Sequence, residues 1–184
     1  IEKVKIRDLY PNREEWKRSV APILRGTVIG FLIGLIPGPA GTLASFSSYA
    51  AEKKVSKHPE EFGHGAIEGV AGPESANNAA SSAAFVPLLS LGLPFAPPSA
   101  LLLTAFITHG IQPGPTLITQ HPAVFWGLIA RMYLGTVFLM IINLPMVGVF
   151  ASILKCPAKI LMPVVMVITY TGAFATNGTT FDIV

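Results

Sequence analysis

Residues 26–54 read GTVIGFLIGLIPGPAGTLASFSSYAAEKK, and this stretch decides the fold class. It holds two apolar arms, 26–36 and 40–51, separated by Pro37-Gly38-Pro39-Ala40-Gly41. As helices the arms would be roughly 16 and 18 Å long at about 1.5 Å per residue. Neither crosses a hydrocarbon core of about 30 Å. Both outer ends carry positive charge: Arg18 and Arg25 before the first arm, Lys53, Lys54 and Lys57 after the second. Cytoplasmic flanks collect Lys and Arg, so both ends are expected on that side. A re-entrant helical hairpin with its tip at Pro37–Gly41 meets all of these conditions.

The tip invites chemistry. Gly26, Gly30, Gly34 and Gly38 stand four apart, so on a helix they line one face and admit a close neighbour. Packing is a sufficient account of the first three. Gly38 lies between prolines, where it exposes backbone instead. A chain break at membrane depth is tolerated only against protein or a water-filled cavity. A helix starting near Ala40 would present free N–H groups and a partial positive charge, with the hydroxyls of Thr42, Ser45, Ser47 and Ser48 close behind. The alternative is a structural kink. On the anion-site reading, the substrate-binding candidates here are Pro37, Gly38, Gly41, Thr42 and Ser45.

Outward from the hairpin, the pattern recurs. Residues 79–93 are apolar and small, Pro94-Phe95-Ala96-Pro97-Pro98 interrupts, and 99–109 is apolar again. This predicts a second broken element whose tip approaches the first, as half-helix tips do in many secondary transporters. Residues 110–122 are expected as a Pro/Gly loop. The apolar run 123–154 is long for one span, which predicts an interfacial helix near 123–131 and a span near 132–154. Another span starts at 160–176. Residues 1–19 are polar and are expected as a cytoplasmic loop, leaving 20–184 as the transmembrane transport region. One conflict stands: a single span after the second hairpin would place Lys155 and Lys159 outside, against the positive-inside rule.

Composition supports this class. The chain is 51% hydrophobic and 12% charged, against about 25% charged in soluble domains, and its mean hydropathy is +0.57. Between Gly69 and Val184 the charged residues are Glu74, Arg131, Lys155, Lys159 and Asp182, too few to cover a soluble surface. One cysteine, Cys156, excludes a disulfide framework and a cysteine-based zinc site. The four histidines lack metal-ligand spacing, so no metal and no resident cofactor are expected. There is no Walker motif and no Gly-x-Ser-x-Gly elbow. The net charge of +3 suits membrane anchoring better than a nucleic-acid face. The first 20 residues are too polar for a signal peptide. The chain is expected to be part of a longer protein.

Glu74-Ser75-Ala76-Asn77-Asn78 is the densest polar cluster of the charge-poor region. Gly72-Pro73 is expected to end one element, with Glu74 and Ser75 in the first turn of the next. Amides can donate to carboxylates or accept from a cation, and hard cations prefer oxygen ligands. Glu74 and Asn77 are therefore the ion-binding candidates, and Ser75 and Asn78 join the substrate-binding set. A helix cap with solvated amides is the plainer alternative. Arg131 is expected to snorkel to an interface, with a counter-charge role as the alternative. Asn177-Gly178-Thr179 matches a glycosylation sequon, and at an expected membrane edge a chance match is the favoured reading.

These motifs carry a resemblance. Pro37-Gly38, Ala44-Ser45-Phe46, Glu52-Lys53, Phe62-Gly63-His64-Gly65 and Glu74–Ala79 follow one another in the order found in the large membrane subunit of tripartite tricarboxylate transporters, the TctA-type family. Residues 86–94 and 109–115, Asn143-Leu144-Pro145 and Phe181-Asp182 also resemble it. The chain looks like part of the later half of such a subunit. It departs from the family pattern at Ala40, Ser81-Ser82 and Phe95–Pro98.

The resemblance implies an all-α, polytopic membrane protein of broken, re-entrant hairpins and spanning helices, in a bacterial inner membrane. It implies a multi-pass, secondary active transporter subunit, not an enzyme. It would take up tricarboxylates or related organic carboxylates by symport with sodium or protons. The implied partners are a small membrane subunit, a periplasmic solute-binding protein, the carboxylate and membrane lipid, with no nucleic acid. Two rival classes are weaker. An intramembrane enzyme should show a catalytic dyad on spanning helices, and Glu74 and Asp182 stand far apart. A structural membrane anchor has no use for broken helices rich in hydroxyls and amides.

Overall fold

The computed structural model of the chain describes residues 10–153 and 156–177. Lys155, Gly178, Thr179, Phe181 and Asp182, on which some of the expectations above rest, lie outside them. Every regular element described is helical: α1 (Arg13–Gly34), α2 (Ala40–Val55), α3 (Glu68–Ala83), α4 (Phe85–Leu91), α5 (Pro97–Thr108), α6 (Leu117–Gln120), α7 (Pro122–Ile153) and α8 (Ala158–Asn177). The described residues divide into two compact units, one of residues 11–134 and one built mainly of residues 135–153 and 156–177.

The first hairpin forms with longer arms than expected. Asn12 caps α1: its Oδ1 accepts from the N–H groups of Glu14 and Glu15, each at 2.9 Å, and its own N–H donates to Glu15 at 2.7 Å. Such a cap is worth about 1 kcal/mol. The helix therefore starts at Arg13, and residues 13–19 are helical rather than loop. The charges do not end α1 because they are paired. The Arg18 guanidinium donates to Glu68 at 2.7 and 2.9 Å and also reaches Glu61. Arg25 forks onto Glu52 at 2.8 and 2.6 Å. At 22 residues, α1 is roughly 33 Å long, twice the arm expected from its apolar part.

Three helices pack through small residues spaced by four. α1 buries Gly26, Gly30 and Gly34, α2 buries Ala40, Ala44, Ser48 and Glu52, and α3 buries Gly72, Ala76 and Ala80. A Cβ at Gly26, Gly30 or Gly34 would overlap the backbone oxygen of Gly72, Ala76 or Ala80 respectively. The ascending order of these pairs makes α1 and α3 parallel. α2 runs back alongside both, with Gly41 against Asn77 near one end and Glu52 against Gly72 near the other. The glycine spacing is thus used for packing.

α3 corrects the expectation at Gly72-Pro73. Pro73 lies inside the helix, so Glu74–Asn78 occupies its middle, not a first turn. A proline there removes one N–H and frees the carbonyl four residues earlier, at Gly69. Gly72 on α2 and Ala76 on α1 hold the turn in place regardless. The second hairpin accordingly has an outgoing arm of α3 and α4, 68–91, and a returning arm α5. Gly92, at φ +72°, ends α4, and residues 92–96 form the break. Leu89, Phe106 and Leu117 bury a small cluster behind it, with Phe85, Leu102 and Val124 packed against them.

Beyond the hairpins, the 110–122 segment contains the short α6. The expected division near 131 is absent: α7 is one helix of 32 residues, through Pro145. Nothing between 123 and 145 interrupts it, because the run lacks a glycine-proline or polar break. Pro122–Phe150 is long and apolar enough to cross a membrane, and Pro97–Thr108 and Ala158–Gly172 are shorter apolar helices. A helix does form where a span is expected from 160, but the apolar part of α8, Ala158–Gly172, is shorter than a full crossing.

Candidate functional site

The two chain breaks meet. The Gly38 N–H points at the Phe95 carbonyl over a long contact of 3.5 Å. Gly38 takes φ +139°, which side-chain-bearing residues rarely adopt. Between the breaks lies a cavity of about 300 Å³ lined by Gly38, Gly41, Thr42, Asn77, Ser81 and Ser99, among others. No lysine, arginine or histidine lines it.

Its donors come from backbone and neutral side chains. α2 starts at Ala40 after Pro39, with no side-chain cap. The Ala40 N–H bonds to the Gly38 carbonyl and that of Leu43 to Pro39. Although Asn77 Oδ1 lies beside Gly41, the N–H groups of Gly41 and Thr42 make no hydrogen bond among the described residues. These are the orphan donors of a helix N-terminus, carrying about half a positive charge. The opposite wall differs. α5 opens with Pro97-Pro98, which have no N–H, so its first turn offers little. Ser99 is buried and closes a reciprocal pair with Ala96: the Ala96 N–H donates to Ser99 Oγ at 3.0 Å and the hydroxyl returns to the Ala96 carbonyl at 2.7 Å.

The expected site residues divide. Gly38, Gly41, Thr42 and Asn77 line the cavity. Pro37 sits at the exposed tip outside its lining. Gly38 does not offer its N–H to the cavity, since that group reaches Phe95. Ser45 faces α3, donating to the carbonyls of Gly41 at 2.9 Å and Pro73 at 3.4 Å. Ser48 is fully buried between helices. Glu74, Ser75 and Asn78 line a separate, open groove between α1 and α3 of about 800 Å³. Glu74 and Asn77, paired in the sequence reading as ion ligands, therefore belong to different openings. Arg131 is exposed on α7.

Sequence reasoning missed two features. Ser81 and Ser99 contribute polar lining, and Pro-Pro-Ser after Ala96 could have marked Ser99 as the N3 residue of a helix start. The other is the pairing of Arg25 with Glu52, which lie 27 residues apart along the chain. Glu52 is 1% exposed and Arg25 side chain 41%. At the polar end of the bundle, the hydrogen bond from Arg18 holds Glu68 below the usual carboxylate range. The same contacts raise Arg18 above its ordinary value. No group of three or more His, Cys, Asp or Glu residues suited to a metal occurs among the described residues.

Comparison with known proteins agrees with the motif order. Residues 1–184 match the tripartite tricarboxylate transporter TctA family. An Agrobacterium vitis protein described as "Uncharacterized 52.8 kDa protein in TAR-I ttuC' 3'region" is 49% identical over 179 residues, 97% of this chain and 36% of its own length. A second Agrobacterium vitis protein, from the TAR-II ttuC' 3'region, is 51% identical over 154 residues, 84% of this chain and 64% of its own length. The chain thus spans about a third of one relative and just under two thirds of the other. No solved structure matches. The family is one of membrane transporters, not of enzymes. With its ordered motifs, its helical hairpins and a match along its full length, this chain belongs to the tripartite tricarboxylate transporter TctA family.

Proposed function

We propose that residues 11–134 carry the carboxylate-binding part of a secondary active transporter, and that the cavity between the two breaks receives the substrate. The observation that carries this is the meeting of Gly38 with Phe95 over a cavity that exposes the free N–H groups of Gly41 and Thr42. One substrate carboxylate would sit on those N–H groups and the Thr42 hydroxyl, with the Asn77 amide as a further donor. Ser81 is placed to reach a second polar group of the substrate.

Electrostatics favours coupling. A tricarboxylate brings about three negative charges, and a helix N-terminus offers about half a positive one. No basic side chain lines the cavity, so entry with a co-transported cation lowers the cost of moving the anion into a low-dielectric site. Symport with sodium or protons in a bacterial inner membrane follows. The substrate would be delivered by a periplasmic binding protein, and a small membrane subunit would complete the assembly.

The test is uptake of labelled organic acids into proteoliposomes holding the full-length subunit and both partners, with each ion gradient imposed in turn. Gly38→Leu should insert normally and abolish uptake, because leucine cannot hold φ +139° and the tip must rearrange. Near-normal uptake by Gly38→Leu would remove the proposal.

A further inference from the structure

The groove between α1 and α3 contains the acid that the carboxylate cavity leaves unused. Among the described residues, Glu52, Glu61 and Glu68 pair with arginines and Glu60 with His58. Glu74 pairs with no basic residue. It stands six residues beyond Glu68 along α3, about 9 Å at about 1.5 Å per residue. That places it level with Val28, within the apolar stretch of α1. Glu74 is exposed from the protein, so with α1 embedded in a membrane its carboxylate would face an apolar surround and need a counter-charge or a proton.

The surroundings offer oxygen. Thr27, Ser75 and Asn78 line the groove with Glu74, as does Ser82. Thr27 Oγ1 and Ser75 Oγ lie 2.8 Å apart, and each also lies within reach of the Ile23 carbonyl, at 2.7 and 2.9 Å. Two hydroxyl protons serve three contacts, and the two oxygens carry four lone pairs. At most one lone pair is taken up between them, so the others remain as acceptors. The Asn78 amide nitrogen donates to the Glu74 carbonyl at 2.9 Å, which leaves its Oδ1 as an acceptor. The ensemble is one carboxylate with neutral oxygens and no competing cation, the donor set of a hard monovalent ion.

Helical geometry separates this groove from the carboxylate cavity. Successive residues turn by about 100°, so Asn77 and Asn78 point in different directions. Asn77 lines the cavity beside Gly41, and Asn78 lines the groove beside Glu74. We infer that the α1–α3 groove is the site of the co-transported monovalent cation, sodium or a proton, held by Glu74 with Asn78, Ser75 and Thr27, while Asn77 serves the carboxylate. The inference rests on the transport reading for its purpose, but cation binding is measurable without it.

The experiment uses the purified full-length subunit with its partners and two probes. Radiolabelled sodium reports the sodium arm, and proton uptake after a pH jump in sodium-free medium reports the proton arm. Labelled citrate binding at saturating cation reports the other site. Glu74 is exposed, so Glu74→Gln keeps the fold, and Glu74→Asp retains the charge. Glu74→Gln and Asn78→Ala should each weaken cation binding in one arm by about tenfold or more, the loss of one good contact. Glu74→Asp should recover much of it. Citrate affinity at saturating cation should hold in both, and Asn77→Ala should do the reverse. Unchanged cation binding in both arms for Glu74→Gln would overturn the inference, as would equal cation defects in Asn77→Ala and Asn78→Ala. If the wild-type protein bound cation through Glu74 but no citrate or other carboxylate, the cation site would stand and the proposed substrate would fall.

Discussion

The two hairpins share a plan and differ in what they do with it. Each sends an arm out, breaks near a proline and returns on a shorter helix. The first, α1–α2, is locked: glycines of α1 lie on the backbone of α3, and Arg25 forks onto buried Glu52. Its break leaves N–H groups free at Gly41 and Thr42. The second, α3–α4 to α5, returns on an apolar arm that buries only Ser99 and Phe106, and its break begins a helix with two prolines. The proposed function uses this difference: the first tip would hold the substrate, and the second would close the cavity and contribute shape more than charge.

The largest effect should come from splitting the Arg25–Glu52 pair. Arg25→Ala strands a carboxylate that is 1% exposed, and breaking a buried pair from one side costs about 3–5 kcal/mol. Glu52→Ala strands a half-exposed arginine and should cost much less. Thermal unfolding of the full-length protein in detergent checks the order, and equal losses would mean that the first hairpin is not locked by this bridge. Next comes Gly30→Ala, whose Cβ would overlap the Ala76 carbonyl oxygen. Overpacking of this kind costs about 1–3 kcal/mol. The matched control Gly135→Ala, with open space around its position, should be near neutral.

A smaller effect is expected at the polar end of the bundle. Glu68 is lowered first by its hydrogen bond from Arg18. Its stabilisation is fully present above the ordinary carboxylate value of 4.5 and is lost as pH falls from there through the lower folded-state value. Melting temperature should therefore be flat through neutrality and fall only in acid, and Arg18→Gln should flatten that fall. The smallest effect should be Pro98→Ala. It adds one N–H to the second break and should alter substrate affinity less than Thr42→Ala does in the same binding assay.

The hairpin at 26–51 and the second break near Pro94 were legible in the sequence, because prolines between short apolar arms leave few alternatives at membrane depth. The start of α1 was not. Arg18 and Arg25 looked like helix ends because their partners lie 50 and 27 residues away along the chain, and sequence spacing cannot show such a pairing. Within the site, Gly38, Gly41 and Thr42 could be read from the break itself. The separation of Asn77 from Asn78 could not: helical spacing turns the two amides about 100° apart, but only the packing of α1 and α2 on α3 shows which opening each one meets. The continuity of α7 was hidden by length, which alone does not say where a long apolar run divides.

The central claim is that the cavity between the breaks holds the carboxylate. Thiol accessibility tests it most directly, in a full-length protein whose native cysteines, Cys156 included, are replaced. Thr42→Cys lines the cavity, and Leu101→Cys lies on the exposed face of α5, at 75% exposure for Leu101. In the assembled transporter, a small charged maleimide should label Thr42→Cys, and a transported carboxylate should protect it while leaving Leu101→Cys labelled as before. Labelling of Thr42→Cys at the same rate with and without a carboxylate that the protein demonstrably transports would contradict the account.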